Sequence, residues 1–157
     1  MIRIACLLLL LAPALAFSEA REIEWLDLMP DDVAERWVAG QTAIDHSALP
    51  DSTEFQSFET VGTLDGQRVR LPGFVVPVET DEEGRLTEFF LVPYFGACIH
   101  VPPPPANQIV DGRLVEPIRM VVIWEAFLME GVLQVEEVSN ATADSAYSMQ
   151  VEALRPY

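Results

Sequence analysis

Short apolar runs separated by turn residues recur about every ten residues from Phe58 to the C-terminus, and this spacing limits the fold more than any other feature. The runs are rich in Val, Leu and Phe, and glycine, proline and acidic residues bound them. Such a pattern is typical of small β-barrels and β-sandwiches. About six strands are predicted, over residues 61–64, 69–76, 86–92, 120–124, 132–138 and 147–154.

Turn and helix signals refine this prediction. Asp65-Gly66 is typical of a hairpin turn, and Gly131 marks a turn ahead of the fifth predicted strand. Pro72-Gly73 inside an apolar run predicts a bulge or bend, by which small barrels carry a strand around a corner. Pro30 and the two acidic residues after it favour the start of a short helix, which Gly40 is expected to end. We therefore predict a mainly β fold, a small OB-like β-barrel with a short N-terminal helix.

The N-terminus has the pattern of a secretory signal peptide. Arg3 precedes an apolar run, and Ala14-Leu15-Ala16 fits the small-residue box before a cleavage site. The run is too short to cross a bilayer, so no stable membrane insertion is expected. A lipidated cysteine follows a small-residue box at the far end of the apolar run, whereas Cys6 lies ahead of the run. Lipidation at Cys6 is therefore not expected. The predicted organisation is a signal peptide over 1–16, a helical or irregular lead-in over 17–57 and a barrel domain over 58–157, located in the periplasm.

The net charge of the whole chain is −16, from 25 acidic residues against nine cations, all of them arginine. Cleavage after Ala16 removes one arginine and no acid, which makes the mature chain still more acidic. Nucleic acids and anionic membranes need a basic face, so neither is an expected partner. The charge suits a cation or a basic protein surface, although an acidic surface that only maintains solubility is the favoured interpretation.

Cys98 is the sole cysteine of the predicted mature chain, so no internal disulfide can form. His100 follows two positions later, and in an extended segment the two side chains project to the same side. A thiolate and an imidazole suit zinc or copper, which makes Cys98 and His100 the candidate metal ligands. Two ligands are too few, and candidates for the others are water, a partner protein, or residues such as His46, Glu79, Asn107 and Gln108.

Two other interpretations of this pair stay open. An imidazolium beside Cys98 could lower the pKa of the thiol, as in thiol-dependent enzymes, although no oxyanion donor or orienting third residue can be identified. Alternatively, Cys98 packs as a small apolar residue and the backbone satisfies His100. Other common enzyme motifs are absent from the sequence, so a non-enzymatic role is favoured.

Four consecutive prolines, Pro102 to Pro105, follow this pair. They donate no backbone hydrogen bonds and hold an extended, stiff conformation, so this segment is expected to leave the sheet as a rigid loop. Such a loop serves either as the rim of a site or as a stiff crossing between strands. The candidate binding residues here and before Cys98, in a pocket wall or the rim, are Tyr94, Phe95, Pro103, Pro104, Asn107 and Gln108. Tyr94 and Phe95 could instead belong to the core.

Two strings in the sequence carry a family resemblance. Leu71-Pro72-Gly73-Phe74-Val75-Val76-Pro77, and the stretch from Phe90 through Cys98-Ile99-His100-Val101 and the prolines to Asn107-Gln108, resemble the DUF3299 family of exported bacterial proteins. The resemblance extends from Trp25 to Tyr157. It implies a protein of unknown function, associated with genes for transporter components and metal response, and this favours a metal-related accessory role. Some relatives are lipid-anchored, which the leader of this chain does not support.

Three functional hypotheses follow. The first is a periplasmic accessory or binding protein with a zinc or copper site at Cys98 and His100, beside the polyproline loop. The second is a protein-interaction module of an envelope transporter complex, of the ABC type, that contacts its partner through residues 102–108 and binds no metal. The third is a thiol-dependent enzyme. The sequence does not define the oligomeric state.

Overall fold

The computed structural model describes residues 19–42, 57–97 and 104–157. Within these ranges the helices are α1 (Asp31–Thr42) and three short 3₁₀ helices at Trp25–Leu28, Gly62–Leu64 and Ala106–Gln108. The strands are β1 (Arg21–Glu22), β2 (Arg68–Thr80), β3 (Leu86–Val92), β4 (Val110–Ile118), β5 (Ala126–Ser139) and β6 (Asp144–Pro156). None of the helices in the described ranges has the length and apolarity that a membrane span requires.

Five of these strands close into a barrel. The order around it is β2-β3-β4-β6-β5, and β5 pairs again with β2 to complete the circle. Neighbouring strands are antiparallel except for β4 and β6, which are parallel, and the short β1 adds to β2 in parallel. This closed five-stranded barrel with one short helix confirms the predicted OB-like fold.

The long strand β2 belongs to both halves of the barrel. Its first part, from Arg68 to Phe74, pairs with β5, and its second part, from Phe74 to Thr80, pairs with β3. The change of partner lies directly after Pro72-Gly73, where a bulge or bend was predicted, but the register shifts occur between Pro77 and Thr80. A Cβ atom on Gly73 would lie 2.8 Å from the side chain of Leu91, so close packing against β3 requires glycine there.

The prediction of a strand over 120–124 is wrong. Those residues form the loop between β4 and β5, in which Met120, Val122 and Trp124 are exposed, and the strand lies earlier, at Val110–Ile118. The uninterrupted apolar run 120–124 resembles a buried strand. Polar residues on the outer side of β4 interrupt its apolar pattern, so that strand was not predicted. Residues 62–64 likewise form a 3₁₀ turn, which buries Leu64 without joining the sheet.

Two glycines have roles other than those predicted. Gly131 does not make a turn, because β5 passes through it with a register shift beside Glu130. A side chain at Gly131 would overlap the backbone carbonyl of Gln150, so the close approach of β6 explains the glycine. Gly40 does not end α1, which continues to Thr42.

Side chains from alternate positions of β3 divide between two apolar clusters. Phe89 and Leu91 enter the main core inside the barrel, which also contains Ile23 and Leu28 of the lead-in. Phe90 and Val92 point to the other side of the wall. There they form the outer cluster, whose members are Phe74, Val76, Val78, Phe90, Val92, Ala97, Ile109 and Ala143. The lead-in therefore shares the barrel's core, and a second apolar layer covers part of the barrel's outside.

Candidate functional site

The predicted site begins where β3 ends. Gly96 has a φ of 86°, a conformation that favours glycine, and this turn directs the chain so that Ala97 is fully buried in the outer cluster. The ring of Phe95 lies 6.2 Å from that of Phe74, centroid to centroid. Tyr94 and Phe95 are nevertheless 38% and 51% exposed. Both aromatic side chains are therefore partly exposed at the surface, and neither is buried in the core.

The far side of the predicted site is anchored by Asn107 and Gln108. Both side chains are buried within the 3₁₀ helix Ala106–Gln108. The amide of Asn107 donates to Ser57 Oγ at 3.1 Å and to the carbonyl of Glu59 at 2.9 Å. The amide of Gln108 donates to the carbonyl of Trp25 at 2.7 Å. These two predicted binding residues thus attach the lead-in and residues 57–59 to the barrel.

Cys98, His100 and Pro103 lie outside the described residues, as does His46. The described Pro104 is buried beside the 3₁₀ helix. Every cysteine and histidine of the chain falls outside the described ranges. Across those ranges, no group of three acidic, histidine or cysteine residues is arranged to hold a metal ion. The described residues therefore define the two flanks of the Cys-x-His segment.

A buried acidic residue lies close to this segment along the chain, and sequence reasoning missed it. Asp111 projects from the outer side of β4, and its side chain is fully buried. The Nε of Arg113 lies 2.8 Å from Asp111 Oδ2, but neither carboxylate oxygen accepts a well-aligned hydrogen bond from the described residues. Burial and the nearby carboxylate of Glu88 raise the pKa of Asp111 to about 6, against the opposing effect of Arg113.

Arg113 links Asp111 to the neighbouring strands. Its Nη1 lies 3.2 Å from Glu136, which also accepts a 2.6 Å hydrogen bond from Ser148 Oγ. That hydrogen bond, together with Arg113, lowers the pKa of Glu136. Glu88, Asp111, Arg113, Glu136 and Ser148 are called the acid cluster below. Four strands supply its members, so sequence spacing gave no sign of it.

A groove separates the lead-in from the residues that precede β2. One wall comprises residues 26–35, and the other comprises residues 60–64. The groove has a volume of about 720 Å³. The hydroxyl of Tyr147 joins the two walls, because it accepts a 2.7 Å hydrogen bond from the amide of Val61 and donates at 2.8 Å to the carbonyl of Leu28. Sequence reasoning did not predict this groove, since its parts are distant along the chain.

Comparisons with known proteins agree with this architecture. Residues 25–156 match the family described as "Protein of unknown function (DUF3299)". The crystal structure of a DUF3299 family protein from Pseudomonas aeruginosa PAO1 is 36% identical in sequence. The match covers 89% of this chain and 97% of that chain, with a TM-score of 0.71. No curated protein matches the chain. The family match over most of the sequence, together with the shared barrel, shows that this chain belongs to the DUF3299 family.

Proposed function

We propose that the protein is an exported periplasmic accessory protein that binds zinc or copper through Cys98 and His100. The main support is the anchoring of the chain on both sides of this pair. Ala97 is fully buried in the outer cluster, and Ala106 to Gln108 are buried against the barrel and the lead-in. Only the short stretch 98–103 and two buried prolines separate these anchors.

Both donors are close in sequence to a buried anchor. Cys98 follows Ala97 directly, and His100 is three positions after Ala97. Consecutive Cα atoms are about 3.8 Å apart, so a tether of three residues spans at most about 11 Å. A short tether to a packed scaffold reduces the entropy that a site loses when a metal binds. A thiolate and an imidazole are the ligand types that zinc and copper prefer.

Two protein ligands leave coordination positions for other groups. Water, His46 or a residue of a partner protein are the candidates for these positions. A partner residue would suit an accessory protein that passes its metal to an envelope transporter. The net charge of −16 attracts cations toward the surface and so assists capture.

The first test is the metal content of untagged protein from the periplasm, measured by mass spectrometry under reducing conditions. We expect about one zinc or copper ion per chain, lost in Cys98→Ser and in His100→Gln. Gln134→Ala is the control, because it changes an exposed side chain that belongs to none of the candidate sites. The proposal fails if the native protein is metal-free and binds neither ion at micromolar concentration.

A second function, supported by a separate observation, is docking to an envelope transporter component without metal. Tyr94 and Phe95, which precede the Cys-x-His pair in the sequence, are 38% and 51% exposed. Aromatic side chains are enriched at protein interfaces. A photo-crosslinker at Phe95, compared with one at the exposed Glu82, distinguishes this function if it captures a transporter component in metal-depleted cells.

The thiol-enzyme hypothesis requires instead that Cys98 be alkylated rapidly below about pH 7.

A further inference from the structure

The groove between residues 26–35 and 60–64 is a preformed feature. Tyr147 ties its walls together through Leu28 and Val61. Asn107 and Gln108 attach residues 57–59 and Trp25 to the same end of the barrel. These three side chains, Asn107, Gln108 and Tyr147, are called the clasp. A groove with walls fixed from beneath needs little rearrangement to bind a ligand.

The lining of the groove combines apolar and acidic side chains. Leu26, Ala34 and Val61 contribute apolar surface, and Leu26 is 43% exposed. Met29 and Leu64 also line the groove but are almost fully buried. Asp27, Asp31 and Glu35 supply three carboxylates against the single cation Arg21. Apolar surface rimmed by carboxylates fits a side chain that has an aliphatic stem and a cationic end, as arginine and lysine do.

The carboxylates of Asp31 and Glu35 lack cationic partners among the described residues. They are four residues apart on α1, a spacing at which like charges repel. Arg36 does not neutralise them, because its guanidinium lies 3.3 Å from Asp32 and 3.5 Å from Glu59. A cation that entered the groove would relieve this repulsion.

We propose that this groove docks a basic segment of a partner protein, in which arginine or lysine alternates with small apolar residues. Its volume of about 720 Å³ accommodates several side chains. Nucleic acids and acidic proteins are repelled by the chain's net charge of −16. A bare metal ion is a poor occupant, because the described carboxylates form no cluster that could hold one. This docking surface is separate from Cys98 and His100 and does not depend on metal binding there.

The test uses the full chain and a fluorescein-labelled nine-residue peptide that alternates arginine with alanine and leucine. Fluorescence polarisation is measured at low and moderate salt, with a peptide carrying glutamate in place of arginine as the negative probe. We expect the arginine peptide alone to bind. The double variant Asp31→Asn/Glu35→Gln should weaken binding by about tenfold, because two unpaired carboxylates are lost. The control Glu116→Gln/Glu137→Gln removes the same net charge elsewhere and should leave binding within about twofold.

A second pair of variants tests the groove by shape. Ala34→Phe fills the groove and should abolish peptide binding, whereas Val38→Phe, on an exposed part of the same helix that does not line the groove, should not. Circular dichroism checks that all variants are folded. The proposal is overturned if the peptide does not bind, if both charge variants weaken binding equally, or if Ala34→Phe binds normally. Repeating the assay with Cys98→Ser/His100→Gln separates this proposal from the metal site, because peptide binding should persist.

Discussion

The clasp and the acid cluster both bury polar side chains near the start of β4, yet their chemistry is opposite. Asn107 and Gln108 are neutral, and their amide groups donate to backbone carbonyls of the lead-in and of residues 57–59. Asp111, three residues after Gln108, is equally buried but carries a carboxyl group next to Glu88. Among the described residues, Arg113 is the one cation that forms an ion pair with Asp111.

The two groups of residues are therefore expected to have opposite effects on the stability of the fold. A buried neutral group whose donors are satisfied contributes to stability and fixes the position of the segments it joins. A buried carboxylate near a like charge raises the free energy of the folded state at neutral pH. We expect the clasp to stabilise the fold wherever the Tyr147 hydroxyl is neutral, and Asp111 to destabilise the fold when ionised.

The largest effect is expected from Asn107→Ala. This change removes the donors to Ser57 and Glu59 and leaves a small cavity, so the free energy of unfolding should fall by about 3 kcal/mol. Urea denaturation measures it, with the exposed Gln134→Ala as control. A loss below about 0.5 kcal/mol would mean that the clasp does not hold the segment.

A smaller effect is expected from Tyr147→Phe. Burial raises the pKa of Tyr147, so its hydroxyl is neutral and bridges Leu28 and Val61 as donor and acceptor. Removing the hydroxyl leaves both backbone groups without this partner, and the free energy of unfolding should fall by about 2 kcal/mol. Amide hydrogen exchange at Val61 provides a local measurement, and unchanged protection there would contradict the bridge.

Asp111→Asn should act in the opposite direction. The pKa of Asp111 is about 6 in the folded chain, above that of an unfolded aspartate, so the folded state keeps this proton where the unfolded state has lost it. The stability gained in this way is complete below about pH 4 and is lost as the pH rises through about 6. The variant should therefore be about 1 kcal/mol more stable than the native chain at about pH 7.5, and the difference should shrink at about pH 5. Thermal unfolding at both pH values measures this, with Glu137→Gln as control. Equal shifts at both pH values would refute the assignment to Asp111.

The smallest effect is expected from Glu88→Gln. Burial and the charge of Glu88 both raise the pKa of Asp111, and this change removes the second cause. The pKa of Asp111 should therefore fall, and the pH-dependent loss of stability should move to lower pH. The carboxyl resonance of Asp111 in an NMR titration reports this directly. A pKa that does not move would assign the raised value to burial alone.

The sequence predicted the barrel because β2, β3 and β6 have strong apolar patterns that local turns separate. It failed at β4, where inward Val110, Gly112 and Leu114 alternate with Asp111 and Arg113. Glycine at an inward position breaks the apolar periodicity of β4. The uninterrupted apolar run 120–124 was therefore predicted as the strand instead. Only the register of β4 between β3 and β6 reveals its place in the sheet.

The candidate sites were predictable only where their residues are close in sequence. Tyr94, Phe95, Asn107 and Gln108 stand out beside the Cys-x-His pair, although the burial of the two amides depends on Trp25 and residues 57–59, far away in the chain. The groove and the acid cluster combine segments that meet only after the barrel closes. No local pattern could therefore identify them.

The most direct test of the metal site is X-ray absorption spectroscopy of the zinc- or copper-loaded protein. We predict one sulfur ligand, at about 2.3 Å for zinc, together with at least one imidazole nitrogen at about 2.0 Å. The sulfur should disappear in Cys98→Ser and the imidazole signal should weaken in His100→Gln. A metal shell of oxygen and nitrogen alone in the native protein would contradict the proposal that Cys98 and His100 form the site.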